Sequence, residues 1–136
     1  DDSGGSQGGP SYYISFKLDG ETVFLASEPE AEIYEGTMYL DAEHSPYDEE
    51  YISIWLEGTT TGEYPYSDYG CNFIYCADAD LCYHAESGSV TVTKIGAVGD
   101  TVEGAFNMTT LADPMEGTPA RSITDGQFVL PRILSE

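Results

Sequence analysis

Three groups of side chains in this chain have types and spacings that could do chemistry. Asp78 and Asp80 stand two apart, with His84 and Glu86 close behind. Hard carboxylate oxygens gathered by a curling loop are what Ca²⁺ requires, so a Ca²⁺ site built from Asp78, Asp80 and Glu86 is the first expectation. The stretch lacks the glycine and the closing glutamate that define an EF-hand loop, and a solvated acidic loop is the competing reading. The second group, Asp41, Glu43, His44, Asp48, Glu49 and Glu50, is also dense enough to attract a divalent ion. It contains no HExxH, and carboxylates around a lone His44 favour the imidazolium form that a transition metal cannot use. That group reads as a solvated face. The third comprises Tyr64, Tyr66, Tyr69, Tyr75 and Tyr83, gathered around Pro65 and the cysteines. Aromatic rings beside carboxylates offer a sugar ring or a protein partner large contact area at little entropic cost. The competing reading is that Tyr simply suits strands.

Cys71, Cys76 and Cys82 lie within one short stretch, with no CxxC pair and no histidine at zinc-finger spacing. A disulfide follows. Cys76 and Cys82 flank a short loop whose ends meet if Phe73–Cys76 and Cys82–His84 are the arms of a hairpin. Cys71–Cys82 is the rival pairing, whereas Cys71 and Cys76 on one extended strand would sit too far apart to bridge. The pattern points to an oxidising compartment.

No catalytic motif accompanies these groups. There is no G-x-S-x-G elbow, no phosphate loop and no Ser-His-Asp order, and paired carboxylates carry no information in a chain with 25 of them. An enzyme is not expected. Those 25 acids face 4 Lys and Arg, for a formal charge of −21. Such a field repels nucleic-acid phosphates and anionic headgroups, so neither nucleic acid nor a membrane surface is an expected partner, and with no run approaching ~18 apolar residues direct insertion of this chain into a membrane is not expected either. Divalent cations and basic partners are the favoured counter-charges. Ca²⁺ is therefore the one cofactor to consider.

The elements that must carry these groups are strands. Tyr12–Leu18 alternates apolar and polar residues, and Asp19-Gly20 supplies the two positive-φ positions of a type I′ turn. The register predicted pairs Leu18 with Glu21, Phe16 with Val23 and Ile14 with Leu25. A second hairpin is expected at Asp125-Gly126, joining Arg121–Thr124 to Gln127–Leu130 with Ile123 across from Phe128. Between them, Glu32–Tyr34, Thr37–Ala42, Tyr51–Glu57, Asn72–Cys76, Ser89–Ile95 and Thr101–Thr110 are bounded by Gly, Pro, Asp or Ser. Both faces of Tyr51–Glu57 are expected to be covered. Gly58–Gly70 and Ala112–Ala120 should be irregular surface loops.

With no helical periodicity and about nine to ten short strands, the spacing predicts an all-β fold, an antiparallel β-sandwich of jelly-roll type. Residues 11–136 should form its single domain. Residues 1–10, rich in Gly and Ser, have the composition of a flexible tether.

The segments Ser87–Ile95 (SGSVTVTKI), Thr101–Met108 (TVEGAFNM) and Ile123–Leu130 (ITDGQFVL) follow one another at characteristic distances. In this the chain resembles a group of exported bacterial lipoproteins of uncharacterised function, in which SGTVTITK, V-x-G-x-F and T-[DN]-G-x-F segments recur. The matching positions are Ser87, Gly88, Val90, Val92, Lys94, Val102, Gly104, Phe106, Thr124, Asp125, Gly126 and Phe128. The N-terminal F-x-L-D-G-E-T-V at Phe16–Val23 also fits. The resemblance implies an all-β sandwich, export to the periplasm, outer surface or extracellular space, and a lipid anchor upstream of Asp1. It carries over no site residues.

The expectation is thus a non-enzymatic exported module for binding or structure at a bacterial surface. Two alternatives stand beside it: a Ca²⁺-dependent module for a glycan or protein partner, and a subunit of an extracellular assembly that self-associates through its N-terminal tail.

Overall fold

The computed structural model describes residues 12–45, 49–67, 69–78, 81–110 and 119–134. The expected tether at 1–10 lies outside them, as does most of the loop expected at Ala112–Ala120. The strands are β1 (Tyr13–Leu18), β2 (Glu21–Leu25), β3 (Ser27–Tyr34), β4 (Thr37–Glu43), β5 (Tyr51–Glu57), β6 (Gly62–Pro65), β7 (Cys71–Asp78), β8 (Leu81–Ile95), β9 (Thr101–Thr110) and β10 (Ser122–Pro131). They form one antiparallel 10-stranded sheet in the order β2-β1-β10-β9-β8-β7-β5-β4-β3, with β6 added alongside β8. Among the described residues there is no helix, and none long and apolar enough to cross a membrane.

Most neighbours in this sheet are also neighbours in sequence, so the topology is a meander and not the crossed-over Greek keys of a jelly roll. The sheet nearly closes into a barrel. Its two end strands, β2 and β3, are joined through Ala26 and diverge there. Arg132, just past β10, bridges to Ala31 of β3 in parallel, and the Ile133 amide donates to the Ala31 carbonyl at 2.9 Å. The 15-residue β8 makes this closure possible: its first part pairs with β7 and the remainder with β9. The segments Cys82–His84 and Ser89–Ile95 are therefore one strand.

The first hairpin has the predicted register, with Leu18 facing Glu21, Phe16 facing Val23 and Ile14 facing Leu25. Asp19 and Gly20 sit at φ 49° and 90°, as a type I′ turn requires. The second Asp-Gly does something else. Strand β10 runs straight through Asp125-Gly126; Ile123 pairs with Leu18 and Met108, and Phe128 with Ile14 and Gly104. The expected hairpin is replaced by a β-bulge, in which Asp125 takes φ 53° and one extra residue is absorbed between Thr124 and Gln127. Strands β1 and β9 lie on either side of β10, and pairing to both holds the strand extended where a free chain would fold back.

Two further expectations change. Gly58–Gly70 is not wholly irregular, since β6 pairs with β8 from Gly62↔Val92 to Pro65↔Ser89. In β5, Ile52, Ile54 and Leu56 are fully buried, but Tyr51 and Trp55 are 38% and 39% exposed, so only one face of that strand is covered. The inward faces meet in an aromatic core. Phe106 stacks against Phe128 and lies 6.0 Å from both Phe16 and Phe73, and Phe16 meets Tyr75 edge-on at 5.1 Å across the barrel. Burial of such rings is the main source of stability, each worth about 3–5 kcal/mol against Ala.

Cys76 and Cys82 are register partners on β7 and β8 and are joined by a disulfide, with Cα atoms 3.9 Å apart. Cys71 is a buried free thiol, and its burial pushes the thiol pKa up to about 11.

Candidate functional site

Alternation along β3, β4, β5 and β7 sends Ala31, Met38, Leu40, Ile52, Ile54, Leu56 and Phe73 inward. The intervening residues form an outward face that register fixes row by row. One row is Glu30, Asp41, Ser53 and Ile74, each directly opposite the next. Beside it runs Glu32, Tyr39, Trp55 and Asn72, and beyond that Tyr34, Thr37 and Glu57. Carboxylates thus dominate the β3–β4 side, and aromatic rings lie along the middle.

The acidic side is electrostatically unfavourable as it stands. Glu30 and Asp41 are directly opposed across β3 and β4, and like charges in that position destabilise a sheet. With Glu28 and Glu43 they line a cleft of about 250 Å³ that Tyr51, Ile52 and Ser53 complete. Burial pushes the Glu30 carboxyl pKa upward, and the charges of Asp41, Glu32, Glu28 and Glu43 add to the shift. Burial also raises Asp41; the Ser53 hydroxyl, which donates to Asp41 Oδ1 at 2.6 Å, opposes this, while the charge of Glu32 adds to it. A cation placed here would relieve the repulsion. Among the described residues, however, no three His, Cys, Asp or Glu side chains are disposed to hold a metal ion.

The aromatic side has its own cavity, a groove of about 250 Å³ lined by Trp55, Glu57, Tyr69, Gly70, Cys71 and Asn72. Trp55 and Glu57 are two apart on β5 and so share its outer face. Glu57 is oriented by the Thr37 hydroxyl, which donates to Oε2 at 2.9 Å. Asn72 Oδ1 accepts the Phe73 amide at 2.8 Å, which leaves its NH₂ group to be offered elsewhere. Tyr69 is 91% exposed but sits on an anchored turn. There the Gly70 amide donates to Ser67 Oγ at 2.8 Å and the Glu57 amide to the Gly70 carbonyl at 2.9 Å.

The residues singled out from sequence are dispersed. Asp78 is exposed at the end of β7 and Glu86 is exposed on β8, while Asp80 lies outside the described residues. The five tyrosines do not form one exposed surface. Tyr75 and Tyr83 are buried at 2% and 4% exposure, Tyr64 and Tyr66 pack partly against the core, and only Tyr69 is fully presented. Of these five, Tyr75 and Tyr83 belong to the core and Tyr64 to strand β6 packed against it. In the second acidic group, Asp41 and Glu43 belong to the cleft, and His44 Nδ1 lies 3.9 Å from Glu50. Asp48 is outside the described residues.

Tyr75 and Tyr83 take part in a different construction. Their rings stack 6.1 Å apart and Arg121 lies over Tyr83 at 5.3 Å. The Tyr75 hydroxyl donates to Glu50 Oε2 at 2.5 Å, and Arg121 pairs with Asp19. Burial and the Glu50 carboxylate hold the Tyr75 phenol well above its usual range. The Ser122 amide, donating to Asp19 Oδ1 at 2.8 Å, lowers the Asp19 carboxyl, and Arg121 assists. This string fastens the strand ends near Asp19 to those near Glu50.

Trp55, Glu57, Tyr39 and Glu30 were missed from sequence. The available signal was the outward set of β5, in which a lone Trp stands two residues from a glutamate.

Comparison with known proteins returned no matching family model, no matching curated protein and no matching solved structure.

Proposed function

We propose that this chain is a non-enzymatic, exported binding module of a bacterial surface, derived from a lipid-anchored precursor. Its partner is a protein with a basic segment, which docks on the outer face of β3, β4 and β5. The single observation that carries this reading is the direct opposition of Glu30 and Asp41, both pushed toward protonation. A sheet that tolerates such a pair gives up stability, and a positively charged partner recovers it.

The cationic side chains support the same reading, because all four are already engaged within the chain. Lys17 lies 3.7 Å from Asp125, Lys94 lies 3.1 Å from Asp100, Arg121 pairs with Asp19, and Arg132 donates to the Gly96 carbonyl at 2.9 Å. The remaining surface charge is almost wholly negative. The Cys76–Cys82 disulfide accords with an oxidising compartment.

Calorimetric titration with a basic peptide of about ten residues tests this, with an acidic peptide and a neutral oligosaccharide as controls. Saturable binding that weakens with salt is expected, and Glu32→Gln/Asp41→Asn should weaken it far more than Glu63→Gln/Glu86→Gln, which removes equal charge elsewhere. Equal losses in the two double variants would reduce the effect to net charge and overturn the assignment of the face.

A further inference from the structure

We infer that the groove between Trp55 and Tyr69 is an anchor subsite for one arginine side chain of the basic partner, an inference that rests on the binding function proposed above. The groove is about 250 Å³, enough for one long side chain and below the usual range for small-molecule sites. Its walls are of two kinds. Trp55 and Tyr69 contribute aromatic rings, and Glu57 brings a carboxylate to the same cavity. A planar cation that stacks and pairs at once is what such walls select. Guanidinium does both, through its flat face on the indole and its forked N–H groups on a carboxylate, whereas an ammonium is a compact and strongly hydrated point charge.

Preorganisation strengthens the case. Glu57 is held by Thr37, and the turn bearing Tyr69 is closed by Ser67 and tied to the Glu57 amide. Asn72, directly opposite Trp55, lines the same cavity, with its Oδ1 fixed by the Phe73 amide at 2.8 Å. The neighbouring cleft at Glu30 and Asp41 lies on the same sheet face, where further basic residues of an extended segment would meet it.

Trp55 is the sole tryptophan among 11 Tyr, so indole fluorescence excited beyond the tyrosine absorption band reports on this groove. The test titrates the full chain with two short basic peptides that differ only in arginine against lysine, and with a neutral oligosaccharide, in parallel with calorimetry. The expected result is a saturable fluorescence change with the arginine peptide, weaker binding of the lysine peptide, and a loss of about tenfold in Glu57→Gln. Trp55→Leu, read by calorimetry, should lose affinity similarly while keeping its thermal transition. Binding heat without a fluorescence change, or undiminished affinity in Glu57→Gln, would overturn the subsite and leave the basic-partner reading intact. A response to the oligosaccharide and not to arginine would also overturn it, making the groove a sugar platform. No binding of either peptide by either method would remove both.

Discussion

Replacing the glycine of each Asp-Gly pair by alanine should expose how differently the two pairs are used. At Gly20 an added Cβ meets nothing within 4 Å, and the only penalty is a side chain at φ +90°. That costs about 1–2 kcal/mol. At Gly126, which is buried beneath the Asp125 bulge, the Cβ would fall 2.6 Å from two ring carbons of Phe106 and 2.6 Å from the Phe106 carbonyl oxygen. The ring can shift by bending the aromatic cluster, but the carbonyl belongs to the β9–β10 ladder, where Phe106 and Gly126 are direct partners. Overpacking of this kind costs about 3 kcal/mol or more when the obstructing atom is backbone. With a urea slope of about 2 kcal/mol per molar, Gly126→Ala should lower the unfolding midpoint by about 1.5 M and Gly20→Ala by about 0.5–1 M. Adding Phe106→Leu to Gly126→Ala should cost less than the sum of the two single changes, because the ring part of the overlap disappears. Equal midpoints for Gly20→Ala and Gly126→Ala would refute the bulge, and with it the packing of Phe106 onto β10.

Asp41→Asn should stabilise the protein at pH 7 by roughly 0.2–1 kcal/mol, since it removes a like charge opposite Glu30 while Asn still accepts from Ser53. The sign follows from the raised folded-state pKa values of Asp41 and Glu30. The folded chain holds those protons more tightly than the unfolded chain, so their contribution falls as pH rises from the unfolded carboxyl pKa through the folded one. Thermal melts of wild type and variant should therefore converge below that window, and a variant less stable at pH 7 would contradict the account. Cys76→Ala/Cys82→Ala opens a loop with a sequence separation of 6. It should cost about 2 kcal/mol by the loop-closure relation, read as a shift in the urea midpoint, and no change would show that the closure is not felt. Cys71 should react with a thiol reagent only under unfolding conditions, and rapid labelling of the native protein would contradict its burial.

The parts of this fold legible in the sequence are those fixed by local chemistry. Asp19-Gly20 specified a turn and the alternation on either side specified its register, because neither depends on a third strand. The short loop between two arms favoured Cys76–Cys82 over the rival Cys71–Cys82, and the structure has the former. Asp125-Gly126 has the same local signal, but β10 lies between β1 and β9, and pairing to both outweighs the turn. Glu35-Gly36, at φ 51° and 86°, forms another tight turn that was not read because glutamate seldom takes a positive φ. The sheet's closure was also hidden, since it depends on β8 serving both halves and on Arg132 meeting Ala31. The site was obscured for a related reason. Local density of Tyr and Asp drew attention to Tyr75, Tyr83 and Asp78, whereas Glu30, Asp41, Trp55 and Asn72 become neighbours only through cross-strand register.

On the proposed function a basic partner occupies the outer face of β3, β4 and β5, with its arginine in the groove that Asn72 of β7 borders. Backbone amide shifts of the isotopically labelled chain, followed during titration with an arginine-containing basic peptide, test it residue by residue. Saturating shifts should concentrate at Glu30, Glu32, Tyr39, Asp41, Trp55, Glu57 and Asn72, accompanied by the indole N–H of Trp55. Shifts spread evenly over the acidic surface, or gathered around Glu86 and Asp125 while Trp55 stays unmoved, would contradict it.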